Sequence, residues 1–374
     1  MVEWTARQIR DPVLRLRFLR ATAPRVEQPA SHKPYKRLYL AAIAAILVSA
    51  FLFFARPARG SHPANVAVTA PTPTLVPVKG NPEIWLVETT KDAETYSNGL
   101  RIDSRFAVHN RPRSFRAFPV AHPEETRGEP RSQPAGIVFH TTESLQAPFE
   151  PGQNTVLKRI SESLLDYIRR KRAYNFLIDR FGRVYRVVVE SDAADHAGYS
   201  VWRDEQWFYV NLNESFLGIS FETETHPGQV EAAISPAQLH SATMLTEMLR
   251  SRYGIPAGNC VTHAQVSVNP SNMQAGYHTD WASSFPFEQV GLPDNYSQPL
   301  PALSAFGFAF DSSFVRRTGG RMYRGVLLAE ELLQDQAAAA HLQLPAYRHA
   351  LQKRYWRQLS SQNNTFQEAR THIP

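Results

Sequence analysis

The chain has 374 residues, 43% of them hydrophobic, with 41 Lys+Arg against 34 Asp+Glu and one cysteine. That composition excludes a disordered or collagen-like polymer and leaves room for one large or two small cores. Cys260 alone cannot form an internal disulfide or a Cys-rich zinc or iron–sulfur cage, so a metal site must draw on the 13 histidines, carboxylates or amides.

The formal net charge of +7 is concentrated at the start of the chain. Residues 1–37 form a basic tail with nine Lys or Arg against three acidic residues, and the remainder is nearly neutral. The bulk of the chain therefore offers no electrostatic case for nucleic acid as a partner. Residues 38–55 (LYLAAIAAILVSAFLFFA) follow, with Ser49 the only polar side chain besides the Tyr39 hydroxyl. As a helix this stretch spans about 27 Å, close to the hydrocarbon thickness of a bilayer. A signal peptide has a shorter apolar region and a small-x-small exit, whereas Ala55-Arg56-Pro57-Ala58 is a poor cleavage site. Cations before the span place the N-terminus in the cytoplasm. The sequence thus predicts a transmembrane helix, a single-pass anchor in the inner (cytoplasmic) membrane, with the rest in the periplasm or cell envelope.

Six prolines between positions 57 and 82 make residues 56–81 a Pro-rich linker. Residues 82–133 read as a small β-containing preamble, with short strands at 83–87 and 101–108 around the turn-like Tyr96-Ser97-Asn98-Gly99. A compact domain is expected over 134–290. It opens with Gly136-Ile137-Val138-Phe139-His140, an apolar run suited to a buried strand and ending in the polar cluster His140-Thr141-Thr142-Glu143. Apolar residues at helical spacing, among them Val156, Leu157, Ile160, Leu164, Leu165 and Ile168, predict a helix from Asn154 as N-cap to Ala173. Arg180-Phe181-Gly182-Arg183 marks a hairpin, a strand is expected at 217–222, and Ser235-Pro236 starts a helix that Gly254 ends. A strand at 259–262 delivers His263. Beyond the domain, 291–374 is a C-terminal extension with two helices, at 321–336 and 345–360. Strands mixed with helices imply an α/β fold with a central mixed β-sheet flanked by helices.

Polar residues at the ends of buried strands converge over a sheet edge without disturbing its core. His140 and His263 both stand there, but they lie far apart in sequence, and a strand-end histidine serves equally as a hydrogen-bonding core residue. Glu222 shares a strand face with Ser220 by the two-residue period, so it is either a general base or an exposed strand-end charge. Cys260 reads as a small buried apolar residue rather than a nucleophile.

The ordered set GIVFHTTES at 136–144, AYNFLIDRFGRVYR at 173–186, DHAGYS at 195–200, NESFLGISFE at 213–222 and VTHAQVS at 261–267 resembles the type-2 N-acetylmuramoyl-L-alanine amidase and peptidoglycan-recognition-protein family. The resemblance covers roughly residues 135–285. It implies an amidase-like catalytic domain with a catalytic zinc (Zn2+) that hydrolyses the amide between the lactyl group of N-acetylmuramic acid and L-alanine, in peptidoglycan or muropeptides. It makes His140 and His263 metal ligands and Tyr174 the donor to the developing oxyanion; a strand aromatic packed on the core is the bland reading of Tyr174. Counting back from Gly276 puts the third ligand at Gln274, an unusual one for zinc, so His278 is favoured. Where one branch has a glutamate in its G-I-E strand, this chain has Ser220, which leaves Glu222 as the candidate catalytic base. Asn272 stands where some members have a lysine. His196 and Asn213 fall at substrate-side positions, with loop capping as their other reading. The alternative to an enzyme is a non-catalytic peptidoglycan-binding module with a degenerate metal site.

Overall fold

The structure is a computed structural model and describes residues 83–226 and 233–371, with side chains in its last helix up to residue 363. The basic tail, the apolar stretch 38–55 and the linker lie outside the described residues. Among the described residues no helix is long and apolar enough to cross a membrane.

In chain order the first strands are β1 (Leu86–Thr89), β2 (Ala93–Tyr96), β3 (Arg101–Asp103), β4 (Arg111–Pro112), β5 (Phe115–Pro119), β6 (Glu129–Arg131) and β7 (Gly136–Thr141). Helix α1 (Asn154–Lys171) leads to the hairpin β8 (Phe176–Ile178) and β9 (Val184–Arg186). Next come β10 (Asp192–Ala193), β11 (Val201–Arg203), β12 (Trp207–Val210), α2 (Leu212–Ser215), β13 (Phe216–Phe221) and α3 (Pro236–Tyr253). The chain then forms β14 (Cys260–Thr262), α4 (His263–Val266), β15 (Val268–Asn269) and β16 (Gln274–Ala275). It closes with α5 (Pro301–Ser304), α6 (Ser312–Thr318), α7 (Gly320–Ala339) and α8 (Leu344–Thr371).

The central sheet is mixed and runs β1-β2-β3-β9-β8-β13-β7-β14. Strands β8, β13, β7 and β14 are parallel neighbours, and their runs are buried on both faces, as a covered parallel sheet requires. Residues expected to form a separate preamble instead extend this sheet, because β3 pairs with β9. A second sheet, β11-β12-β5-β6, draws β5 and β6 from the part of 82–133 beyond the two strands expected there. The described residues fall in one compact unit.

Local chemistry explains the helices. In α3, Ser235 Oγ accepts from Gln238 N–H and Gln238 Oε1 accepts from Ser235 N–H, a reciprocal capping box. Gly254 ends the helix at φ +65°, a left-handed position that a side chain would strain. Ser235→Ala should therefore cost about 1 kcal/mol, read as a lower denaturant midpoint at unchanged slope. Helix α1 buries Leu157, Ser161, Leu165 and Ile168, one face at helical spacing. Asn154 is its first residue rather than its cap, because a 3-10 turn over Pro151–Gln153 runs straight into the helix. Val156, expected in the apolar stripe, is exposed.

The aromatic segment after Trp281 is core. Phe285 stacks on Phe139 of β7 at 4.2 Å, Phe287 meets Phe285 edge-on at 4.8 Å, and Tyr296 meets Phe287 at 5.0 Å. Each such burial stabilises by roughly 1.5–3 kcal/mol. These contacts seal the Phe139 face of the sheet, so the residue after Phe139 points to the other face.

Candidate metal centre

Strand register explains why histidines so distant in sequence meet. Phe139 of β7 is level with Thr262 of β14, so the next positions, His140 and His263, come side by side. Their ring centroids are 4.5 Å apart and both side chains are buried. Asp280 completes the group: one ligand atom from each of His140, His263 and Asp280 lies within 4.8 Å of the others. Asp280 Oδ2 is 3.1 Å from Nδ1 of both His140 and His263.

The third member is therefore Asp280, and not His278 or Gln274. His278 stacks on the outer face of His263 at 4.9 Å and is exposed, while Gln274 pairs with Asn269 in the β15–β16 ribbon. Asp280 is held by its successor. Trp281 is buried and meets Phe221 and Phe285 edge-on, each at 5.1 Å. Its N–H donates to Thr225 Oγ1 at 3.0 Å. Trp281 and Ala282 have φ of +68° and +44°, a strained turn that the Trp281 packing maintains.

The outer nitrogens fix the tautomers. His263 Nε2 is 3.3 Å from the Ala197 carbonyl, which only accepts, so Nε2–H donates and Nδ1 is the nitrogen that faces the cluster. His196 Nε2–H donates to the Phe216 carbonyl at 3.2 Å, which leaves its Nδ1 to accept from His140 Nε2–H at 3.0 Å. His140 Nδ1 then faces the cluster as well. Burial and the neighbouring His263 push the His140 pKa down to about 4, so its ring is neutral at pH 7.

Two ring nitrogens and one carboxylate oxygen thus converge in one place, a donor set suited to a cation. The spacing fits a small one. In a tetrahedron with bonds of about 2.0–2.1 Å, neighbouring donors lie about 3.3 Å apart, and Asp280 Oδ2 sits 3.1 Å from each nitrogen. Cys260 takes no part, since burial pushes its thiol up to about 12.

The other predicted site residues divide. Tyr174 is at the cluster, its ring 5.1 Å from that of His140; burial and then Asp280 raise its pKa, so it remains a neutral donor. His196 is buried and engaged on both nitrogens, so it orients His140 and has no free donor for substrate. A Cβ at Gly218 would come within 2.7 Å of its ring, which explains the glycine there. Asn213 Oδ1 accepts from His196 N–H at 2.9 Å and Ala197 N–H at 2.6 Å, the capping role rather than a substrate contact. Glu222 is buried, not exposed. Its Oε2 accepts from Ser161 Oγ at 2.6 Å and Arg180 N–H at 3.3 Å, not from the cluster, and burial raises its pKa.

Residues 130–280 match the family described as N-acetylmuramoyl-L-alanine amidase. N-acetylmuramoyl-L-alanine amidase AmiD of Escherichia coli (strain K12) is 32% identical over 91 residues, covering 23% of this chain and 31% of AmiD. The chain thus spans about a third of the length of the curated relative it matches. Among solved structures, E. coli AmiD in complex with the substrate anhydro-N-acetylmuramic acid-L-Ala-D-gamma-Glu-L-Lys is 20% identical with a TM-score of 0.34, covering 54% of this chain and 89% of that one. AmpDh3 from Pseudomonas aeruginosa in complex with anhydromuramic pentapeptide is 17% identical with a TM-score of 0.34, covering 62% and 92%. Bumblebee PGRP-SA is 16% identical with a TM-score of 0.28, covering 46% and 87%.

Proposed function

We propose that this chain, whose residues 130–280 match the N-acetylmuramoyl-L-alanine amidase family, is a zinc-dependent amidase that cleaves the bond between the lactyl group of N-acetylmuramic acid and L-alanine in peptidoglycan or its fragments. The observation that carries this reading is the convergence of His140 Nδ1, His263 Nδ1 and Asp280 Oδ2 with every outer proton pointing away. Two nitrogens and one carboxylate oxygen are a donor set suited to zinc with one position left for water. Zinc there supplies Lewis acidity toward the amide carbonyl and lowers the pKa of water. Tyr174, a neutral phenol beside His140, donates to the carbonyl oxygen as it gains charge. His196 and Asn213 keep His140 in its tautomer and its loop in place.

The apolar stretch 38–55 and the basic tail before it support an anchored, envelope-facing enzyme. Protease treatment of intact cells from the outer face should spare residues 1–37; their digestion would sink that topology. For the activity, the purified chain is assayed on a defined muropeptide before chelation, after it and with zinc restored. Peptide release should vanish and return. Release that ignores chelation, or none with zinc present, contradicts the proposal.

A further inference from the structure

We propose that the cavity between Arg203 and Arg354 is a binding site for a small phosphate-type oxyanion, a site that shares no residue with the metal cluster and does not depend on the reaction performed there.

The cavity lies where the C-terminal helices meet the second sheet. Arg203 ends β11, Gln336 stands on α7, Tyr347 and Arg354 stand on α8, and all four line a space of about 130 Å³. A site for a drug-sized ligand occupies roughly 300–1,000 Å³, so the occupant here is smaller. Both guanidinium groups converge on one ring: Cζ of Arg354 is 4.3 Å from the Phe208 centroid, and Cζ of Arg203 is 6.0 Å from it. Phe208 is buried and meets Phe306 edge-on at 5.7 Å, which makes it a fixed platform for both cations.

The charges around this space have one sign. Among the described residues neither arginine is ion-paired with a carboxylate. Arg348, earlier on α8, gives the contrast, since its Nη2 donates to both oxygens of Glu330 at 3.0 Å. Arg354 Nη2 donates to the Ala305 carbonyl, but its Nε is buried and has no hydrogen-bond partner. Arg357, one turn further along α8, adds a third cation. Burial pushes the Arg354 guanidinium down to about 10, with Arg203 and Arg357 acting in the same direction and Tyr347 against them. Two like charges sharing a small space, one of them with a buried unpaired N–H, cost stability unless an anion lies between them.

The donors select a tetrahedral oxyanion. A single carboxylate pairs best with one guanidinium fork, whereas phosphate presents oxygens in several directions and takes N–H groups from both arginines at once. Gln336 extends the set: its buried Oε1 has no partner, and the amide turned over offers N–H donors instead. Inorganic phosphate and the terminal phosphate of a monoester share this chemistry. Bound there, the anion bridges β11 and α8 and fastens the C-terminal helix to the second sheet.

The test titrates the purified full-length chain with inorganic phosphate at constant ionic strength, following the heat of binding and the melting temperature. Phosphate should bind and raise the melting temperature, and chloride at the same ionic strength should not. Arg354→Gln should weaken that binding about 10- to 100-fold. Because Arg354 also packs on Phe208, Arg203→Glu gives a second reading that a misfolded variant cannot imitate. It places a carboxylate beside Arg354, so it should abolish the phosphate effect and, without phosphate, melt above Arg203→Gln. A parallel titration with glycerol phosphate separates the sources: equal affinity assigns the site to a monoester terminus, and binding of inorganic phosphate alone assigns it to the free ion. A wild-type chain that phosphate does not stabilise overturns the proposal. So does binding that Arg354→Gln leaves intact, or an Arg203→Glu chain that melts below Arg203→Gln.

Discussion

Asp280→Ala should strip the chain of stoichiometric zinc, whereas His278→Ala should leave it bound. The contrast follows from position. Asp280 Oδ2 sits 3.1 Å from both inward nitrogens, while His278 stacks on His263 from outside. Asp280 also supplies the anionic partner of the cluster, and without it a cation would have only the two imidazole rings of His140 and His263 beside it. Zinc supplies several kcal/mol of transition-state stabilisation, so amide cleavage should fall about a thousandfold or more. Metal analysis of both variants after gel filtration, paired with the rate on a muropeptide, checks this. Retained zinc in Asp280→Ala, or loss from His278→Ala, would reverse the ligand assignment.

Tyr174→Phe should lower kcat by about 10²- to 10³-fold while zinc content and KM stay near wild type. The ring packs against His140 at 5.1 Å and is half-buried, so phenylalanine fills the same space and the cluster keeps its shape. What the substitution removes is one hydroxyl whose ionisation is pushed up by burial and by Asp280, and which therefore holds its proton at neutral pH. An interaction made only as the carbonyl oxygen gains charge affects kcat rather than KM. A rise in KM at constant kcat would instead assign the hydroxyl to ground-state binding.

Much of the fold was legible because its signals are local. The apolar run before His140, the capping pair Ser235 and Gln238, and Gly254 each act within a few residues, and β7 and α3 form where those signals lie. His140 and His263 each follow a buried strand, which places them at a sheet edge, but it is the resemblance that makes them metal ligands. What escaped depends on distant partners. Asp280 is one such residue, because a carboxylate four residues past Gly276 carries no local sign of direction. The available clue was Trp281, a large apolar residue able to anchor its neighbour in the core. The two-residue period gave the strand face of Glu222, but not that Ser161 on α1 would occupy its carboxylate. For Asn213 and His196 the sequence leaves substrate contact and loop capping both open, because their hydrogen-bond partners, backbone groups of other loops and His140, appear only on folding. The strands of 82–133 are two to five residues long, too short for periodicity, and are fixed by pairing with β9 and β12.

The most direct test of the central claim is which bond breaks and where the water oxygen goes. The zinc-loaded chain is incubated with a muropeptide in water enriched in 18O, and the products are resolved by mass spectrometry. The account predicts a peptide with a free L-alanine amino group and one 18O in the lactyl carboxylate of N-acetylmuramic acid. Cleavage at a peptide or glycosidic bond, or an intact muropeptide with zinc bound, would contradict it.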